Sequence, residues 1–216
     1  METNLRKSNL EEELHLVYQP IYNLSTQKIV GAEALLRWES TELGNVSPGE
    51  FIPIAENTGL IHRLSKWVIQ TALQQLSLWH CISSEFWLSI NLSPMELEEK
   101  NFSERIYHQM EQAGVPGSCV GIEVTERGIY RNLRRYSETL NKLQSMQVRL
   151  KVDDFGTGQS GLAQLLNFQF DSIKVDRSFM PSSAQDQGKL SICKAIAVVL
   201  HSVLVGLALN KTAELM

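Results

Sequence analysis

The sequence predicts an α/β fold, a (β/α) barrel. Two observations carry that prediction. Short apolar runs with strand periodicity alternate along the chain with longer helical patterns, which is the arrangement of parallel strands with helices outside them. Five of the strand-like runs also place their polar residues in one common phase, so each has an apolar face and a face bearing carboxylates, an amide or a lysine. A chain of 216 residues, 43% hydrophobic and 20% charged, supplies the core of one domain.

Taken in order, residues 1–13 read as a polar lead-in and residues 14–216 as a single domain. The first strand candidate is "LVYQPIY" and the second "IVGAEALLRW". The composition of "GAEALLRW" favours a helix, and in isolation it would be read as one. "SPGEF" marks a helix start, with Ser47 as N-cap, Pro48 at the first helical position and Glu50 closing a capping box. A long amphipathic helix, "RLSKWVIQTALQQLSLW", precedes the strand "FWLSINLS". "FSERIYHQMEQAG" and "RRYSETLNKLQSM" are helices on either side of the strand "CVGIEVTE". "VRLKVDDF" and "FDSIKVD" follow as strands, then the helix "KLSICKAIAVVLHS" and a last strand, "VLVGLALN".

The phase of the polar residues locates a site. In "FWLSINLS" the apolar set is Phe86, Leu88, Ile90 and Leu92, leaving Ser89 and Asn91 opposite. Val120, Ile122 and Val124 oppose Glu123 and Thr125; Leu150 and Val152 oppose Lys151 and Asp153; Ile173 and Val175 oppose Ser172, Lys174 and Asp176. If "GAEALLRW" is a strand, Ala32, Ala34 and Leu36 face the helices, while Glu33, Leu35 and Arg37 face inward. These polar residues sit late in their strands, at the mouth where barrel active sites form. Crowded carboxylates need cations, and oxygen ligands select hard ions, Mg²⁺ or Mn²⁺. The adjacent Asp153 and Asp154 end their strand before a glycine loop, where both can serve metal.

Each residue alone also fits a plainer role. Glu33 and Arg37 fit an i, i+4 ion pair on a helix, Asn91 a turn, and Lys174 a strand-end lysine lying along the surface. A net charge of −4 gives no support to DNA or RNA polymers as partners. Cys81, Cys119 and Cys193 lack metal or disulfide spacing, the N-terminus is too polar for a signal peptide, and no run reaches ~18 uninterrupted apolar residues, "AIAVVLHSVLVGLAL" being broken by His201 and Ser202. The expected location is the cytoplasm, with no membrane segment.

The segments "YQPI", "GAEALLRW", "FIPIAENTGLI", "INLS", "IEVTE", "VDDFGTGQSGL" and "DSIKVDRSF" occur in one order over residues from about 14 to 180, and in this the chain resembles the EAL-domain cyclic di-GMP phosphodiesterases. The resemblance implies a TIM-like (β/α) barrel whose first strand runs antiparallel. It implies metal binding by Glu33, Asn91, Glu123 and Asp153, with Asp154 on a second ion. It implies substrate contacts from Gln19, Leu36 and Arg37, Lys174 as the residue that activates or positions the nucleophilic water, and Glu126 as the support of the loop after the aspartate pair. The implied reaction is hydrolysis of one bond of cyclic di-GMP to linear pGpG with two Mg²⁺ or Mn²⁺ ions.

The departures concentrate late in the chain. Gly161 stands where the family has serine, and Gln169 where proline is common. A family glutamate falls at Leu209, beside Asn210, and "GLALNKTAELM" leaves no further strand or closing helices. The expectation is therefore a barrel incomplete at its C-terminus and weakly active at best. The first and last strands would then carry open edges, which a second copy in a homodimer could cover. The alternative is a non-catalytic EAL-like module that binds cyclic di-GMP or a protein.

Overall fold

The computed structural model describes residues 1–131, 133–156 and 170–179, with 186–189, 191 and 194. The chain divides into two compact units, one of Met1–Glu123 with Arg134–Arg149, the other of Val124–Leu133 with the residues from Leu150 onward.

The first unit opens with helices α1 (Glu2–Lys7) and α2 (Leu10–Glu13), so the polar lead-in is folded. Leu5 of α1 is buried with Leu14, Trp38, Phe51, Ala55, Ile61 and Leu64, and Leu10 of α2 packs against the same cluster. Arg63 holds the segment from outside, donating to the carbonyls of Arg6 (2.9 Å) and Ser8 (2.8 Å). Strand β1 (Leu14–Asn23) pairs antiparallel with β2 (Lys28–Ser40), from Leu14 opposite Trp38 to Asn23 opposite Lys28. A short strand, β3 (Gly44–Val46), folds back on the end of β2. "GAEALLRW" is thus a strand despite its composition. Ladders on both its edges, with β1 and with β4 (Trp87–Asn91), outweigh a weak local helix preference.

Helix α3 (Pro48–Thr58) begins as its sequence predicts. Ser47 and Glu50 form the capping box, Pro48 opens the first turn, and Gly59 ends the helix in the left-handed conformation. Helix α4 (Ile61–His80) buries Ile61, Leu64, Ser65, Val68, Ile69, Ala72, Leu73 and Leu76, a stripe at the spacing of one helix face. Its far end carries Trp79, edge-on to Tyr18 (4.8 Å) and Phe86 (5.1 Å), a packing role. Helix α5 (Phe102–Ala113) turns Phe102, Ile106 and Met110 inward. Strand β4 pairs in parallel with β2 and with β5 (Val120–Thr125). The helix-facing set Leu88, Ile90, Leu92, Val120, Ile122 and Val124 is buried, as the phase predicts. Burying each such side chain contributes roughly 1.5–3 kcal/mol.

The second unit holds the last two residues of β5, helix α6 (Glu126–Arg131), most of β6 (Arg149–Phe155) and β7 (Ser172–Val175). Helix α7 (Leu133–Ser145) belongs mainly to the first unit. β6 and β7 pair in parallel, and Asp171 fixes where they start. Its backbone N–H donates to the Leu150 carbonyl, and its carboxylate accepts from the Leu150 N–H, both at 2.8 Å. The predicted strand "VLVGLALN", most of the helix before it, and positions Gly161, Gln169, Leu209 and Asn210 lie outside the described residues.

Candidate active site

In the first unit, three successively paired strands bring acidic and amide groups into register. Glu33 on β2 stands opposite Ser89 of β4, and Asn91, the last residue of β4, stands opposite Glu123 of β5. Asn91 Nδ2 donates to Glu33 Oε1 at 2.8 Å. Glu33 is 8% exposed and Glu123 only 1%. The ladder runs one residue past Asn91, where the Leu92 N–H donates to the Glu123 carbonyl (2.8 Å), so Asn91 is held by paired backbone on both sides. Two carboxylates with so little access to water are costly as anions, and a cation is the usual remedy.

The predicted substrate residues separate. Gln19 is exposed on β1, opposite Glu33. Arg37 is half-buried, and its Nη1 donates to the Leu36 carbonyl at 2.9 Å. The Leu36 side chain packs on the core cluster around Trp38, so its carbonyl is the group it offers beside Arg37.

In the second unit, the aspartate pair sits on a bulge. Lys151 and Val152 oppose Ser172 and Ile173, but Phe155 opposes Val175, so β6 carries one residue more than β7 across Asp153 and Asp154. Asp154 takes a positive φ of 54°, the left-handed region, and Gly156 follows at 100°. A non-glycine residue held there stores strain, and such strain clusters at functional sites. Strict alternation would point the two carboxylates to opposite faces; the bulge removes that constraint. Asp153 Oδ1 accepts from the Asp154 N–H (2.8 Å), and Asp153 Oδ2 lies 3.2 Å from Lys174 Nζ. Burial pushes the Asp154 carboxyl above its usual range, with Asp153 and Asp176 adding to the shift and Lys174 and Arg127 opposing it. Buried Glu126 accepts the Gly156 N–H at 2.8 Å and so fixes the residue that leaves the bulge.

A match to the EAL domain family spans residues 2–208. The chain belongs to the EAL domain family. It is 39% identical over 190 residues to the probable cyclic di-GMP phosphodiesterase PdeI of Escherichia coli, covering 87% of this chain and 24% of that protein. It is 36% identical over 186 residues to the cyclic di-GMP phosphodiesterase PA2567 of Pseudomonas aeruginosa, covering 86% of this chain and 32% of that one. The solved structure of the PaMucR phosphodiesterase in complex with c-di-GMP superposes with a TM-score of 0.86 at 31% identity, covering 93% of this chain and 82% of that chain. This EAL chain spans about a quarter to a third of the length of these two curated relatives. The EAL fold is the TIM-like α/β architecture that the strand pattern predicts, and its antiparallel first strand is β1. Among the described residues, no helix is long and apolar enough to cross a membrane.

One group in the EAL domain was absent from the sequence reading. Glu96, in the short 3₁₀ turn Glu96–Glu98 after β4, is fully buried, and burial pushes its carboxyl up to about 8. The signal was available, since "SPME" at Ser93–Glu96 is a second capping-box pattern.

Proposed function

We propose that this EAL domain hydrolyses one phosphodiester bond of cyclic di-GMP to give linear pGpG. The single observation that carries the reading is the pair of buried carboxylates on the two strands that flank β4, Glu33 and Glu123, with Asn91 of β4 between them. These are positions where the sequence resemblance implies metal ligands. The relatives named as cyclic di-GMP phosphodiesterases and the PaMucR complex supply the substrate class.

The donor set suits a hard divalent ion, Mg²⁺ or Mn²⁺. Every group is a carboxylate or amide oxygen, and the buried ones have a charge to balance. Glu33, Asn91, Glu123 and Asp153 would hold metal, with Asp154 serving a second ion. When bound, such ions supply a nucleophile at neutral pH and balance charge on the phosphoryl oxygens.

The remaining steps belong to the chain's own side chains. Lys174, 3.2 Å from Asp153, holds a proton on Nζ that it can exchange with the attacking water. Arg37 presents a planar cation to a phosphate, and Gln19 offers an amide to the nucleotide. The Leu36 carbonyl orients Arg37. Glu126 keeps the Gly156 end of the bulge in place, and with it the aspartate pair.

The test is product identity. Purified protein incubated with cyclic di-GMP and Mn²⁺ should yield pGpG by mass spectrometry, and Glu33→Ala should yield none. Binding of cyclic di-GMP in Ca²⁺ with no product in Mg²⁺ or Mn²⁺ would make the chain a binding module instead.

A further inference from the structure

The turn that follows Asn91 is held from several sides by groups that take no part in the chemistry above. The Ser93 N–H donates to Glu96 Oε2 at 3.2 Å, and Ser65 Oγ of α4 donates to the same oxygen at 2.7 Å. Ser93 Oγ donates to Glu56 Oε1 of α3 at 2.7 Å. Among the described residues the other oxygen of Glu96, Oε1, has no hydrogen-bond partner, and neither do Nε and Nη2 of Arg105 on α5. These two incomplete groups face each other at 3.8 Å. Arg105 is drawn aside by Glu99, whose Oε2 lies 2.6 Å from Nη1, while His62 Nδ1 of α4 lies 2.5 Å from the Glu99 Oε1. The neighbouring Glu98 faces Arg135 of α7 at 3.0 Å and stands outside this competition.

One guanidinium is therefore shared between two carboxylates, Glu99 near the surface and Glu96 at 0% exposure. A buried carboxylate that lacks a donor on one oxygen favours its protonated form, and the high range of the Glu96 carboxyl agrees with that. Once ionised, Glu96 gains most by pulling Arg105 across the 3.8 Å gap, away from Glu99. Ser93 rides on Glu96, and Asn91 lies two residues before Ser93.

We propose that Glu96 is a positioning residue for Asn91, acting through Ser93, and that Arg105 passes from Glu99 to Glu96 when Glu96 loses its proton. This rests on Asn91 belonging to the metal set. The EAL domain would then hold its metal in one geometry below the transition and in a looser one above it. Ser65, Ser93, Arg105 and Glu99 act on Glu96 directly, while His62 contacts Glu99 and Glu56 contacts Ser93.

The experiment is calorimetric titration with Mg²⁺ at about pH 6.5 and about pH 9, below and above the transition. Glu96→Ala is expected to bind about tenfold more weakly than the unaltered chain, as for loss of a group that orients a metal ligand. Glu96→Gln, which keeps shape and polarity but cannot ionise, should match the unaltered chain at the lower pH and outbind it severalfold at the higher. If Glu96→Ala fails to fold, Ser65→Ala serves in its place. It removes a donor to the ionised form, so the loss of affinity should move to higher pH. Equal affinity in all variants at both pH values, or no movement in Ser65→Ala, overturns the proposal. Failure of every chain, the unaltered one included, to bind Mg²⁺ overturns the metal reading and this inference with it.

Discussion

Gly31→Ala probes how tightly β2 and β4 must approach to align Glu33 with Asn91. Gly31 faces Trp87 across the parallel ladder, two residues before Glu33. A Cβ at Gly31 would stand 2.5 Å from the Trp87 carbonyl oxygen and 2.7 Å from its indole ring, well inside contact distance. The ring can give way only by leaving the Arg149 guanidinium, now 5.4 Å from its centroid, and the carbonyl cannot move without opening the ladder. Overpacking of this kind costs about 1–3 kcal/mol, and the lost cation–π contact adds about 0.5–1 kcal/mol. For a domain of this size, each kcal/mol lowers Tm by roughly 2–4 °C, so thermal melting should fall by roughly 3–16 °C. Mn²⁺ affinity should fall as well, because widening at Gly31 shifts Glu33 against its 2.8 Å partner Asn91. Adding Trp87→Leu to Gly31→Ala should recover part of the loss, since it clears the ring clash and leaves the carbonyl clash. A Gly31→Ala protein that melts with the unaltered chain and binds Mn²⁺ equally would refute this account of the ladder.

Other outcomes follow from the same geometry. Glu96 is held at about 8, above the ordinary carboxylate value of 4.5, so between those values the folded chain holds a proton that the unfolded chain has released. The contribution of Glu96 to folding stability should therefore be greatest below about pH 4.5, fall as pH rises toward about 8 and level off above it; the gap corresponds to roughly 5 kcal/mol at most. Urea denaturation across that range should show a flatter profile in Glu96→Gln. Lys174→Met should lower kcat by about a hundredfold or more with KM little changed, as for loss of a group that moves a proton; steady-state kinetics in which KM alone changes would reassign it to binding. Glu126→Ala strips the Gly156 N–H of its 2.8 Å acceptor and should cost about 1–3 kcal/mol in melting, with weaker Mn²⁺ binding; Glu126→Gln retains an acceptor oxygen and should lose less.

The residues that sequence alone identified are those whose role depends on strand phase. Leu88, Ile90, Val120, Ile122, Leu150 and Val152 are buried, and Asn91 and Glu123 stand opposite each other on adjoining strands, because alternation is a property of every strand whatever packs on it. "GAEALLRW" was ambiguous because its preference is local, whereas the ladders that make it a strand come from residues far along the chain. The folding of α1 turned on Leu5, one apolar residue in a polar segment, which gives no periodicity to detect. The bulge at Asp153 and Asp154 breaks the alternation rule itself, and only the register against β7 reveals it. Glu96 was overlooked for a different reason. Its pattern marks a cap, but burial beside an undersatisfied Arg105 is a tertiary outcome.

The central claim is that this EAL domain uses Glu33 and Asp153, which the fold carries on separate strands, in one metal-dependent hydrolysis. The most direct measurement is the rate of cyclic di-GMP consumption in Mn²⁺ and in chelator, for the unaltered chain, Glu33→Gln and Asp153→Asn. The account predicts turnover in Mn²⁺ that chelator abolishes, and near-complete loss in each variant with the fold retained by circular dichroism. Turnover that persists in chelator, or that survives both substitutions, would contradict it.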